Sequence, residues 1–480
     1  MLPVSDAGTS SVLNPLDGGL SIADAEASDA SDDATTCTNP CEPGATSCTG
    51  NEVQMCQPQA GGCPLWIASG ACGPHQMCVA AGSGAACVCD PASCSSGISA
   101  CADQDDLATC ATDSNGCSYA EATSTCPFSC ADAACTTPAA IAAGGYHSCA
   151  VVSGGGIVCW GQQVAPLPDG GIASSLRPAP VTMPAKATAV VAGNTHNCAR
   201  LADATVACWG SNDEGQLGTG TEQDENTPVV VPGLNGVIAI AAGWNMTCVI
   251  LAGGAVDCWG SGVANDLVNV PMVSSPTPLG VPGLVSATAI DTSGDHACAI
   301  LSDGTVRCWG DNSYGQLGDG TTNGSTTPVA VQGLSSAKAI STGWSHTCAL
   351  LNDGTAACWG LTQYGELGSG VPPWDGGYSY TATPSPVDVL AGAKVVAAHD
   401  AYTCAILVDS SVSCWGGSAM PLAEGAPTTI PGLSGASALA TSDTFVCALL
   451  PGSVECWGDN TYGELGNGTT QSSDTPVVVQ

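Results

Sequence analysis

From residue 136 onward, apolar and polar positions follow one pattern seven times over. A short apolar run carries a Cys, a polar turn interrupts it, and a second run ends in Cys-Trp-Gly. The pairs are Cys149 and Cys159, Cys198 and Cys208, Cys248 and Cys258, Cys298 and Cys308, Cys348 and Cys358, Cys404 and Cys414, and Cys447 and Cys456. First cysteines recur at steps of 49, 50, 50, 50, 56 and 43 residues. Between them runs a second apolar element, Thr-Pro followed by β-branched residues: TPVVV from 227, TPLGV from 277, TPVAV from 327 and TPVVV from 475. Weaker copies are PAPVTM from 178, TPSPVDV from 383 and APTTIPG from 426. A repeat of this length holds about four short strands with their turns, the content of one propeller blade. Each such unit buries its core against its neighbours. The pattern predicts an all-β, seven-bladed β-propeller.

Register can be read from the fifth repeat. In CALLNDGTAAC, Cys348 and Cys358 are symmetric about Asp353. The turn is then Asn352, Asp353 and Gly354, a three-residue hairpin with Gly at the left-handed position. The cysteines face each other across adjacent antiparallel strands, close enough for a disulfide. In the seventh repeat, CALLPGSVEC, one residue is missing and the turn shrinks to Pro451 and Gly452. Cys447 and Cys456 stay opposite each other. The fourteen cysteines are therefore expected to form one bridge per repeat.

Read from the first hairpin, the seven Thr-Pro strands fall out of phase with the seven hairpins. The array then ends on an unpartnered strand. The expectation is that Thr475 to Gln480 completes the first blade and closes the ring, removing two open edges.

Upstream, residues 1 to 36 are rich in Ser, Ala and Asp and carry only negative charge. They lack periodic apolar positions and read as a disordered acidic tether. Residues 37 to 135 hold sixteen cysteines in two similar ladders. One is Cys48, Cys56, Cys63 and Cys72; the other is Cys101, Cys110, Cys117 and Cys126. They read as two small disulfide-rich modules, 37–90 and 91–135, arisen by duplication, in which bridges replace a core. Zinc is the rival, but the wide gaps lack paired C-x2-C knuckles.

Charge and cysteine content narrow the setting. The net charge is −36, with six Lys and Arg, none before Arg177. Such a surface repels nucleic acid and anionic lipid. Thirty regularly spaced cysteines mean disulfides and hence an oxidising compartment. Secretion or display on the outer cell surface is expected. The start, MLPVSDAGTSSVLNPLDGG, is not a signal peptide, so the signal or a lipid anchor is expected upstream of residue 1. No stretch of 18 apolar residues exists to span a membrane.

The fourth repeat, SGDHACAILSDGTVRCWGDNSYGQLGDG (293–320), gives the consensus nearly whole. It strongly resembles the regulator of chromosome condensation repeat, in the Cys-Trp-Gly form of bacterial exported proteins. The resemblance implies a seven-bladed β-propeller over residues 136–480. The family's best-known activity is guanine-nucleotide exchange on a small nuclear GTPase. That does not suit an acidic, cysteine-stapled chain and is the weakest alternative. Other members of similar shape bind enzymes through aromatic residues on one propeller face.

Two residues before each first Cys stand His147, His196, Met246, His296, His346, Tyr402 and Phe445. Four histidines invite a metal reading. A structural role, with each His bonded to nearby backbone, fits better because Met and Phe replace it. The tryptophans of the seven Cys-Trp-Gly motifs are expected between blades. G-x-L-G follows in repeats two, four, five and seven and serves turns, with no Lys to make a phosphate loop. The insert VPPWDGGYSYTAT puts Trp374, Tyr378 and Tyr380 in a polar loop, a candidate contact for a protein or glycan. No catalytic, cofactor or metal residues stand out. The expected function is non-enzymatic binding of an extracellular protein or polysaccharide. The alternative from another class is an envelope carbohydrate-active enzyme with carboxylates converging on the central channel.

Overall fold

In the computed structural model, the residues described are 134–166, 172–261, 274–368, 379–387, 392–417 and 426–480, with shorter stretches between 45 and 131. The expected tether, residues 1 to 36, lies outside them. The chain divides into two compact units. One comprises residues 1–93 and 113–117; the other comprises residues 94–112 and 118–480.

The two cysteine ladders each contribute a three-stranded antiparallel sheet. The first joins Thr46–Thr49, Glu52–Gln57 and Leu65–Ala71; the second joins Ser99–Cys101, Asp106–Thr112 and Ser118–Thr125. Both carry a register shift in the same place, at Val53/Gln54 and at Leu107/Ala108. Cys126 is bridged to Cys135.

Seven four-stranded antiparallel sheets follow, each taken from one continuous stretch. They span 138–181, 187–230, 237–280, 287–330, 337–386, 393–429 and 438–478, here blades one to seven. The described residues contain no helix. In blade four the strands, from the channel outward, are Ala287–Thr292, His296–Leu301, Val306–Gly310 and Ser325–Ala330. Innermost strands of all seven blades line one central channel of about 250 Å³.

The hairpin between second and third strands is set by the turn residues. Leu350 pairs with Ala356, leaving three residues, 352–354, beyond the closing pair of Leu351 and Thr355. Gly354 takes φ +85°, and Asp353 Oδ1 accepts from both the amide and the hydroxyl of Thr355. In blade seven Leu450 pairs with Ser453, so the turn is Pro451-Gly452. Each hairpin aligns its cysteines directly: Cys149 with Cys159, Cys298 with Cys308, Cys447 with Cys456, and so on round the ring. All seven pairs are bridged, with Cα atoms 4.0–4.1 Å apart.

Ring closure differs from the expectation. Thr475 to Gln480 does not complete the first blade. Ser473–Val478 pairs with the third strand of its own blade, Cys456 opposite Val477, just as Cys208 lies opposite Val229 in blade two. Blade one takes its fourth strand from Ile172–Val181. The seven Thr-Pro strands are therefore in phase with the hairpins. The apparent offset arose because the small-residue strand before each hairpin, such as Pro138–Ala143, is the innermost strand of the same blade. Blades seven and one instead meet through packed side chains and one loop contact: Trp160, Val158 and Phe128 pack with Phe445, Leu465 and Val479 in one core cluster, and the Gly468 amide donates to the Leu176 carbonyl at 2.8 Å. The other clusters likewise straddle neighbouring blades, as Leu217 of blade two does with Trp259 of blade three. Each buried Trp removes roughly 150–250 Å² from water, so these contacts supply much of the apolar stabilisation.

Candidate functional site

Alternation of strand direction puts two sets of connections at one end of the propeller: the turns between first and second strands, and the long loops after Cys-Trp-Gly. The Asp-Gly hairpins lie at the other end. The loop end is organised by the blade junctions beneath it.

The four junctions that carry a His use residues 50 to 57 apart. His196 of blade two donates from Nε2 to Thr247 Oγ1 of blade three at 2.9 Å. Thr247 gives its own hydrogen to the Gln216 carbonyl in the G-x-L-G loop of blade two, at 2.9 Å. Trp259 Nε1 donates to the same carbonyl at 2.8 Å. Since Thr247 has one hydrogen and spends it on Gln216, the imidazole is the neutral Nε2–H form. The set recurs as His296, Thr347, Gln316 and Trp359, and as His346, Thr403, Glu366 and Trp415. His147 bonds Asn197 Oδ1 at 2.8 Å. Burial lowers the pKa of His147 and His296 to about 4, and that of His196 and His346 to about 3.

The histidines thus bond side chains of the next blade and not nearby backbone, as the sequence had suggested. Their partners vary together. Where Met246 replaces His, Ala297 replaces Thr; an apolar pair leaves no buried polar group stranded. Tyr402 reaches instead across to blade seven, donating to the Ser442 carbonyl at 2.6 Å. Among the described residues no group of three or more His, Cys, Asp or Glu is arranged to hold a metal.

Above this layer, first-to-second-strand turns encircle the channel mouth. Their central residues are Gly145, Asn194, Trp244, Gly294, Trp344, Asp400 and Asp443. Amides and carbonyls of successive turns join: Gly145 to Asn194, Asn194 to Trp244, and Trp344 to Asp400. Trp244 and Trp344 belong to blades three and five, yet their rings meet edge to face with centroids 4.2 Å apart. Gly294 of the blade between lies close against the backbone of the Trp344 turn. A Cβ there would sit 3.0 Å from the Trp344 carbonyl oxygen.

Trp344, 41% exposed, separates two hollows. One, of about 230 Å³, is lined by Trp244, Glu214, Ser261 and Asp295. The other, of about 260 Å³, is lined by Tyr364, Glu366, Asp400 and His346. Glu366 occupies the place of Gln216 and Gln316 in the earlier G-x-L-G loops. Its Oε2 accepts from the Tyr364 amide at 2.8 Å, while Oε1 is buried with no hydrogen-bond partner. Burial, and then the neighbouring Asp400, push the Glu366 pKa up to about 7. Asp400 is itself raised by burial and by Asp443. His399 Nδ1 lies 3.3 Å from Asp443 Oδ1. Inside the channel, Asp291 Oδ2 accepts from the amide and hydroxyl of Thr342 at 2.7 and 3.1 Å.

Of the residues singled out in the insert after repeat five, Tyr380 opens the fourth strand of blade five opposite Leu361 and is exposed. Trp374 and Tyr378 lie outside the described residues. Trp244 and Trp344 were missed. The signal was available: of four tryptophans outside Cys-Trp-Gly, these two share one repeat position, two residues before the His or Met.

No curated protein matches the chain. Among solved structures it is similar to the yeast RCC1, Prp20, in complex with Kap60 (22% identity over 72% of this chain and 84% of that one, TM-score 0.59). It is similar to Prp20p from Saccharomyces cerevisiae determined with its binding to Gsp1p and histones (21%, 72% and 87%, TM-score 0.59), and to human WBSCR16 (21%, 66% and 88%, TM-score 0.56). At these identities the likeness is one of fold. The RCC1-like domain profile matches residues 121–429, and the regulator of chromosome condensation (RCC1) repeat matches residues 451–480. With seven blades, their shared junctions and these matches together, the chain belongs to the RCC1-like domain family.

Proposed function

We propose that this is an exported, surface-displayed and non-enzymatic propeller that binds a protein or polysaccharide through its loop end. One observation carries the reading: among the described residues, the exposed aromatics Tyr146, Trp344, Tyr380 and Tyr462 all stand at that end. Tyr146 and Tyr462 pack edge to face across the junction of blades one and seven, centroids 5.6 Å apart. Rigid, half-wet aromatics in a ring of turns are suited to contact a partner at little entropic cost. Bridges in every blade fit an oxidising compartment, and no helix among the described residues is long and apolar enough to cross a membrane. The test is cross-linking of the purified full chain to extracellular and surface fractions of producing cells, with contact sites mapped by mass spectrometry. Contacts should fall on the loop end. Contacts confined to the Asp303 and Asp353 hairpins, or turnover in a hydrolase screen abolished by one point mutation, would overturn the reading.

The alternative, a carbohydrate-active enzyme, draws on the carboxyls gathered at the channel. Burial raises Asp291 to about 6, in the range of a general acid. Its carboxylate is, however, held by Thr342. Hydrolysis lost in Asp291→Asn would favour this reading.

A further inference from the structure

We propose that Trp344 is the centre of a site for an arginine side chain carried by a basic segment of a partner protein. This rests on the loop end being the binding face and names the chemistry of its partner.

Three independent observations converge. The first is shape. Trp344 lines two hollows of about 230 and 260 Å³, and Trp244 packs against it at an interplanar angle of 79°. An exposed indole face attracts cations through its quadrupole, and a guanidinium both stacks on it and forks to carboxylates. The second is an unsatisfied acceptor. Glu366 is one of the residues lining the hollow between Trp344 and Asp400, and its buried Oε1 lacks a partner. Asp400 is held at positive φ, +37°, a conformation non-glycine residues adopt at a cost. Burial raises both carboxyls above their ordinary range, with smaller contributions from Asp400 on Glu366 and from Asp443 on Asp400.

The third is the segregation of charge. The chain has six Lys and Arg. Five lie toward the hairpin end. Lys186, Lys338 and Lys394 stand where innermost strands begin, and Lys394 bonds Ser410 in a hairpin. Arg200 reaches the Val237 carbonyl at the start of blade three, and Arg307 lies beside Asp303. Arg177 is the sixth, on the outer strand of blade one beside Gly468. The channel mouth keeps Glu214, Asp295, Asp400 and Asp443 with no Lys or Arg among them. Such a face steers a basic partner toward it.

Glu366→Gln offers a clean test, because Gln already fills this place in blades two and four. The probe is a fluorescein-labelled decapeptide with two arginines in a Gly/Ser background, against its citrulline counterpart, measured by anisotropy with the full chain at about 150 mM salt, where the Debye length is about 8 Å. The arginine peptide should bind at least ten-fold more tightly than the citrulline one. Glu366→Gln and Trp344→Ala should each lose ten-fold or more, and Trp344→Tyr should keep most of the affinity. Calorimetry checks that the variants stay folded. Equal binding of both peptides, or unaltered arginine binding by both variants, would overturn the site and leave general attraction to net charge. A partner cross-linked to the loop end but indifferent to Glu366→Gln would sink the arginine site alone. Cross-links confined to the hairpin end would sink the face itself.

Discussion

Trp160 in the first blade donates its indole N–H to the carbonyl of Glu464 in the last, at 2.7 Å. Ser148 Oγ of blade one reaches the same carbonyl at 3.2 Å. The ends of the array are thus joined by the arrangement that Trp259 and Thr247 make with Gln216 inside it. The indole-to-carbonyl junction at closure is one of four such junctions among the described residues, with Trp259, Trp359 and Trp415 at the others, and no strand is exchanged.

Closure should therefore depend on that indole. Trp457 is the natural control, since its buried Nε1 has no hydrogen-bond partner. Trp160→Phe and Trp457→Phe remove the same atoms from similarly buried sites, so their difference isolates the bond. Trp160→Phe should be more destabilising by about 0.5–1.5 kcal/mol, the net worth of one hydrogen bond, because the Glu464 carbonyl keeps Ser148 Oγ as a donor. Differential scanning calorimetry of the two variants measures it. Equal melting would mean that the indole bond adds nothing measurable to the junction of blades seven and one.

Interior junctions can be tested at Thr247. Thr247→Val keeps the shape but leaves the His196 Nε2–H without its acceptor, while Gln216 keeps the Trp259 donor. The expected loss is about 1–3 kcal/mol in denaturant titration under oxidising conditions. Adding His196→Met, which copies Met246, should recover part of it. Additive losses would show that the His–Thr bond is not the coupled unit described here.

What the sequence disclosed follows chain separation. Cys348 and Cys358 are ten residues apart with a readable turn between them, so pairing and register were legible. The contact of His196 with Thr247 spans 51 residues, and that of Trp160 with Glu464 spans 304. Nothing local marks either one, which is why the His partner was expected in nearby backbone and the last strand was assigned to the wrong blade. The Trp344 site draws on repeats three, four, five and six, at positions where the repeats differ. Consensus reading discards such positions. Glu366 was hidden for the same reason, as one acid in a motif read for its glycines.

Stability should depend on pH through Glu366. Its folded pKa of about 7 lies above the ordinary value of 4.5. For a carboxyl raised in this way, the unfolded state ionises first as pH rises. Wild type therefore loses stability between about pH 4.5 and 7, at up to roughly 1.4 kcal/mol per unit. Below that window both states are neutral, and above it the loss is complete. The groups facing Glu366 are Asp400, with Asp443 and His399 behind it, and the buried neutral His346. Glu366→Gln should be as stable as wild type at pH 4 and clearly more stable at pH 8. A difference independent of pH would mean that the carboxyl is not strained by burial.

The last glycine of G-x-L-G does more than make a turn. Gly218 has φ +71°, and a Cβ added there would lie 2.7 Å from Trp259 Nε1, the indole that seals the junction to blade three. Gly233 has nearly the same backbone, φ +76°, with nothing within 4 Å of its added Cβ. Alanine at either position meets the left-handed backbone penalty, about 1–2 kcal/mol. At 218 it must also displace the indole from the Gln216 carbonyl, which adds overpacking of about 1–3 kcal/mol. Gly218→Ala should therefore melt well below Gly233→Ala, and its Trp fluorescence should shift as Trp259 moves. The same contrast should hold at Gly318, whose Cβ would lie 2.7 Å from Trp359 Nε1. Equal losses at 218 and 233 would show that backbone conformation alone demands glycine there, and that the indole can yield without cost to the junction.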